Sequence, residues 1–135
     1  MSEPRRCFCV STDDAEYLEN AFPNWEAIDG RWILLPDFMV CPGYTVQTAT
    51  VAIHIPTSYP ITRLDMAYFS PPIVRTDGKT IPATNCFQMI DGKQFQRWSR
   101  HYQPNSWKPD EDCIATHVMA IQDWLLRAAP TEGTG

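Results

Sequence analysis

Residues 45–55, TVQTATVAIHI, alternate between apolar and polar side chains so regularly that they read as an extended strand. Successive side chains of a strand point to opposite faces. Ala49, Val51, Ile53 and Ile55 therefore share one face, and Thr48, Thr50 and His54 share the other. His54 reads as a solvated or cross-strand residue. Two further apolar runs flank this strand. WILLPDFMV, residues 32–40, follows a turn at Asp29-Gly30, with Trp25, Ile28 and Trp32 on either side; its Pro36 demands a sheet edge or a bulge. LDMAYF, residues 64–69, follows the Pro56–Pro60 connection. Short links such as Cys41-Pro42-Gly43-Tyr44 join neighbouring strands only in antiparallel order, so the expectation is an antiparallel meander.

Helical signals bracket the meander. Ser11 followed by Asp14, with Thr12-Asp13-Asp14 opening the first turn, predicts a short helix from about Asp13 to Ala21, its apolar face formed by Tyr17, Leu18 and Ala21 and its end at Phe22-Pro23. Ile114, Val118, Ile121 and Leu125 recur at helical spacing and predict an amphipathic helix ending near Ala129-Pro130. Pro109 suits its first turn, and Asp110, Glu111 and Asp112 place negative charge at its start. Between Ser70 and Pro109 regularity fades into a long irregular flap, punctuated by Pro71-Pro72, Asp77-Gly78, Pro82, Asp91-Gly92 and Pro104. Phe87, Phe95, Trp98, Tyr102 and Trp107 are available to pack such a flap. The expected fold is α+β: an N-terminal short helix, an antiparallel β-meander, a long irregular flap and a C-terminal amphipathic helix. It forms one domain over residues 1–135, with a core of about 11–129 and a flexible tail from 130 to 135.

Charge and cysteine usage narrow the function. The net charge of −5 and the scattered basic residues argue against a nucleic-acid partner. No run approaches the roughly 18 apolar residues of a membrane span, and the opening MSEPRRCFCV has too short an apolar stretch for a signal peptide, so a soluble cytoplasmic protein is expected. Five cysteines, Cys7, Cys9, Cys41, Cys86 and Cys113, are an odd number without a framework spacing, and they read as reduced. Cys7 and Cys9 would share one face of a strand and are read as packing residues. Neither a cofactor nor a metal is expected; Cys113, His117 and His101 have ligand chemistry but no fourth partner.

The densest chemistry lies in RWSRHYQPNSWKPDEDCIATH, residues 97–117. Cys113 falls where the last helix begins, and the partial positive charge of a helix N-terminus favours a thiolate. His117 lies four residues on, on the same helix face. Asp112 is a candidate helix cap or a group that orients an incoming lysine. Arg97, Arg100 and His101 are candidates to bind acidic or backbone groups of a partner; an alternating strand would equally pack Trp98 and expose the arginines. Trp98 and Trp107 read as core aromatics.

PGYTVQTATVAIHIPTSYP, LDMAYFSPP, DGKTIPA, FQRWSRH and WKPDEDCIATH together resemble the bacterial family known as prokaryotic ubiquitin-conjugating-like family E, over about Trp25 to Leu126. The resemblance implies the ubiquitin-conjugating fold and partners encoded nearby: a ubiquitin-like modifier, its activating enzyme and a JAB-type deconjugating peptidase, in systems of defence against phage. It implies an enzyme whose cysteine carries the modifier as a thioester before a protein target receives it. The contiguous His-Pro-Asn motif of the eukaryotic enzymes is absent; His101-Tyr102-Gln103-Pro104-Asn105 holds its letters split by Tyr102 and Gln103, so the resemblance identifies no oxyanion donor.

Two cysteines compete for that role. Cys113 sits inside the most specific motif and has polar neighbours, although the acidic run before it opposes a thiolate. Cys86 lies about as far beyond the Tyr-Pro turn as the catalytic cysteine of typical ubiquitin-conjugating enzymes, but in CFQMI, which also reads as a buried strand. An inactive module that binds the modifier or activating enzyme is the alternative to a transferase.

Overall fold

The computed structural model describes residues 3–130; of the expected flexible tail, residues 131–135 lie outside that range. The elements run α1 (Thr12–Ala21), β1 (Glu26–Ile28), β2 (Trp32–Met39), β3 (Thr48–His54), β4 (Ala67–Ser70), β5 (Cys86–Ile90), β6 (Lys93–Trp98) and α2 (Ile114–Ala128). Among the described residues six strands form one antiparallel sheet in the order β1-β2-β3-β4-β6-β5. The fold is α+β, as the sequence predicts.

Alternation in β3 works as expected on one face. Ala49, Val51, Ile53 and Ile55 join Leu35, Phe38, Phe69 and Trp98 in the main core, which α1 closes with Leu18 and α2 with Ile114, Val118, Ile121 and Leu125. The opposite face is not simply polar: Ile28, Leu34, Ala52, Ile90 and Phe95 form a second, smaller cluster, with Trp32 and Tyr68 against it. Ile28 of β1 and Ile90 of β5 come from opposite ends of the strand order, so the sheet curls to bring them together. Arg5 pins that curl, reaching Glu26 at 2.9 Å and Asp91 at 2.7 Å. Its guanidinium holds both carboxyls below their usual range, through hydrogen bonding foremost.

Pro36 resolves as a bulge. β2 lies inside the sheet, and the register between β2 and β3 shifts between Leu35 and Phe38, where Asp37 takes a positive φ of 60°.

The flap is less irregular than its composition predicts. β5 and β6 form a hairpin across Asp91-Gly92, both residues at positive φ, 53° and 73°, as a two-residue type I′ turn requires. CFQMI is a strand, but an exposed one: only Ile90 of β5 is buried. Buried Gln96 ties the preceding segment to this hairpin, accepting from Ile73 N at 2.8 Å and from Trp98 Nε1 at 3.0 Å.

α2 begins later than its first expected turn. Pro109, Asp110, Glu111 and Asp112 form a separate turn before the helix, leaving no acidic residue in the first turn. Asp112 is not the cap. Its Oδ2 accepts from Lys108 N at 2.7 Å, closing that turn, and Cys113 takes the N-cap position. At the far end Tyr44 Oη donates to Leu125 O at 2.6 Å and Arg75 Nη1 to Ala128 O at 3.2 Å, so α2 is held at its C-terminus by the β2–β3 link and the flap. No helix among the described residues is long and apolar enough to cross a membrane.

Candidate functional site

The first amides of a helix have no partner within it, and at the start of α2 the rest of the fold supplies one. Ile114 N–H is shared between Asp14 Oδ1 at 3.3 Å and Tyr59 Oη at 3.1 Å, and Tyr59 Oη donates to Asp14 Oδ2 at 2.7 Å. Asp14 is 4% exposed, and its own amide is held by Ser11 Oγ. Three segments thus meet at one point: the start of α1, the Tyr59-Pro60 turn and the start of α2. Burial, then the bond to Asp14, pushes the Tyr59 hydroxyl pKa well up, so it remains a donor at any physiological pH.

Cys113 follows directly from this anchor. Its backbone is extended, its N–H donates to Thr116 Oγ1 at 2.9 Å, and the same hydroxyl donates to Cys113 O at 3.0 Å. The half-buried side chain opens onto a groove of about 370 Å³, walled by Arg31, Tyr59, Asp14, Glu111 and Cys9. Arg31 is fixed in that wall. Its backbone adopts φ 64°, its Nε donates to Ile55 O at 2.7 Å, and its guanidinium lies 5.0 Å from the Phe8 ring centre. Among the described residues it is the single cationic side chain in a lining that holds Asp13, Asp14, Asp110, Glu111 and Asp112. Such a lining attracts an ammonium group.

His117 is not the partner of Cys113. It is fully buried with both ring nitrogens engaged: Nε2 donates to Met66 O at 2.8 Å, so Nδ1 is the acceptor for Tyr102 Oη at 2.6 Å. That tautomer follows because a carbonyl can only accept. Burial lowers the imidazole pKa to about 4, which keeps it neutral. His117, Tyr102, Trp107 and Trp124 form an aromatic cluster on α2, with ring centres 5.6 to 6.3 Å apart. Trp107 is half-buried at the margin of the core, its Nε1 donating to Pro60 O at 2.7 Å; Trp98 is buried completely.

The remaining candidates lie elsewhere. Arg97, Arg100 and His101 do not line the groove. Arg97 stands on β6 opposite Cys86, with its Nε buried and unpartnered; Arg100 donates to Pro82 O at 3.0 Å and lies 4.9 Å from the Trp98 ring centre; His101 pairs with Asp65 at 2.9 Å. Cys86 is exposed on the outer strand. Cys7 and Cys9 are exposed as well, against the expectation that they pack, because Phe8 and Val10 between and after them take the inward positions. Among the described residues no three His, Cys, Asp or Glu side chains are grouped to hold a metal. Asp14, Tyr59 and Arg31 are residues of this groove that sequence reading did not single out. Asp14 carried a signal as an apparent helix-start acid of α1, and Tyr59 as part of a turn, but neither pointed at α2.

The model of prokaryotic E2 family E matches residues 10–128. No curated protein and no solved structure matches the chain significantly.

Proposed function

The chain belongs to prokaryotic E2 family E, and from that premise we propose that Cys113 is the residue through which it carries a ubiquitin-like modifier. In the first step the Cys113 thiolate attacks the thioester that links the modifier's C-terminus to an activating enzyme. A new thioester forms on Cys113 and the activating enzyme's thiolate leaves. In the second step an amine of the protein target attacks that carbonyl, the amide forms, the amine's proton passes to solvent, and Cys113 departs as thiolate.

The observation that carries this reading is the position of Cys113: it is the N-cap of α2 and it faces a solvent-open groove, whereas Cys86 lies on an outer strand away from any helix end. The acidic lining favours approach of a lysine ammonium, and Arg31, the cationic side chain among the lining residues, is the candidate donor for the oxyanion of each tetrahedral intermediate. His117, neutral and closed off, serves the flap and not the chemistry. Asp112 contributes its charge to that acidic lining, whereas Trp107, Arg97, Arg100 and His101 act only through the shape of this end of the molecule. The setting of such a carrier is the bacterial cytoplasm, in an antiphage operon with a JAB-type peptidase.

Mixing the purified chain with its modifier, activating enzyme and ATP tests this directly. An adduct sensitive to thiol reductant, lost in Cys113→Ala and kept in Cys86→Ala, is the expected result; the reverse pattern overturns the assignment. The five carboxyl groups around Cys113 favour one second reading, an inactive module that binds the modifier without acylation. Binding with no adduct under any condition selects it.

A further inference from the structure

β5 is the outermost strand of the sheet, and among the described residues nothing pairs with its free edge. We infer that this edge is a self-association surface on which a second copy of the chain adds its own β5, antiparallel, about a two-fold axis through Gln88. The hairpin fixes which groups are free. In a two-residue hairpin the pair flanking the turn exchanges main-chain hydrogen bonds, and the pattern alternates along the ladder. Ile90, Gln88 and Cys86, opposite Lys93, Phe95 and Arg97, therefore bond to β6. Phe87 and Met89 turn their N–H and C=O outward. Met89 O accepts only a 3.3 Å bond from the Gln88 side chain, in keeping with a carbonyl that lacks a main-chain partner.

Those four outward groups are self-complementary. With Gln88 opposite Gln88 of the second copy, Phe87 of each copy faces Met89 of the other, and the two pairs complete four main-chain bonds with no outward group of β5 left over. The side chains agree with that register. Phe87 and Met89, 47% and 62% exposed, share one sheet face and would cover their counterparts; Cys86 would face Ile90. Charge permits it too: Cys86–Ile90 contains none, and at the ends uncharged Asn85 would meet Asp91, whose carboxylate Arg5 already neutralises. The edge lacks the lysine, proline or bulge by which monomeric sheets protect such strands. A five-residue strand pair with four apolar side chains is small, so association is weak and concentration-dependent.

Light scattering on a sizing column from about 5 to 500 µM is expected to show the mass rising from 15.4 kDa toward twice that value. Phe87→Lys removes the apolar contact. Met89→Pro removes one outward N–H while sparing the bonds to β6, since proline is tolerated where a strand's N–H faces away from the ladder. Both should remain monomeric at the highest concentration with unchanged circular dichroism. Gln88→Cys, oxidised by air with copper phenanthroline, should cross-link 88 to 88 in preference to 86 to 86. A wild type that stays monomeric throughout, a dimer that survives both substitutions, or cross-links favouring Cys86 overturns the inference. So does a monomer whose β5 edge instead captures an extended segment of another protein.

Discussion

Lowering the pH from 7 to 5 should destabilise the protein through one side chain, His117. Its imidazole is completely buried between Met66 O and Tyr102 Oη, and burial lowers its pKa from 6.5 to about 4. The unfolded chain takes up that proton near pH 6.5 and the folded chain only near 4, so between those values protons favour unfolding. Stability is therefore complete above 6.5 and falls as the pH drops toward 4. At about 1.4 kcal/mol per pH unit, the whole window comes to about 3 kcal/mol, of which about 2 is lost by pH 5. For a chain of this length that equals a fall of about 7 °C in Tm. Glu26, Asp77 and Asp91, whose pKa values are held down by Arg5 and Arg75, lose their contribution only below about pH 4.5, outside this range. His54, although exposed, is also shifted down, by desolvation foremost and then by Arg31, so His54→Gln serves as a control. Urea denaturation at pH 7, 6 and 5 reads the effect. His117→Gln retains a donor for Met66 O, should cost about 1–3 kcal/mol at pH 7 by leaving Tyr102 poorly paired, and should flatten the pH slope by about 2 kcal/mol. If the variant keeps the wild-type slope within about 0.5 kcal/mol, burial of a neutral His117 does not control acid stability.

Two other perturbations probe what positions Cys113. Asp14→Asn turns one acceptor into a donor facing either Tyr59 Oη or Ile114 N–H, and Tyr59→Phe deletes the bridging hydroxyl; each should cost about 1–3 kcal/mol in urea denaturation. Because both act on one amide, the double variant should lose at least about 0.5 kcal/mol less than the sum, and strict additivity would refute a shared anchor. Gly43 adopts φ 110°, and a Cβ there would stand 2.8 Å from Pro130 Cδ. Gly43→Ala should therefore lower Tm by several degrees, on the order of 1–3 kcal/mol, while a Gly78→Ala control, with open space around its Cβ, should lose less.

Elements with a long, regular period were legible. β3 declared itself by alternation and α2 by its 3.6-residue stripe, and the family followed from the motifs around them. The β5–β6 hairpin was not, because Phe87 and Met89 are apolar on an uncovered face while Gln96 is polar on a buried one, so hydrophobicity runs against burial there; only Asp91-Gly92 signalled the turn. The helix start was misplaced by a few residues because a proline followed by acids describes a preceding turn as well as a first helical turn. For the candidate site, the sequence singled out Cys113 as a candidate but not the groove or the anchor beside it. Asp14 and Tyr59 lie 100 and 55 residues from the amide they hold, a relation no local pattern encodes.

That separation has a consequence for the life of the chain. Ile114 gains its partners only when the first helix, the Tyr-Pro turn and the last helix have all come together, so the setting of Cys113 rests on contacts of high sequence separation, which form slowly. A truncated or partly folded chain has the thiol without the groove. Slow exchange of the Ile114 amide with deuterated solvent would mark the moment at which the three segments have closed around it.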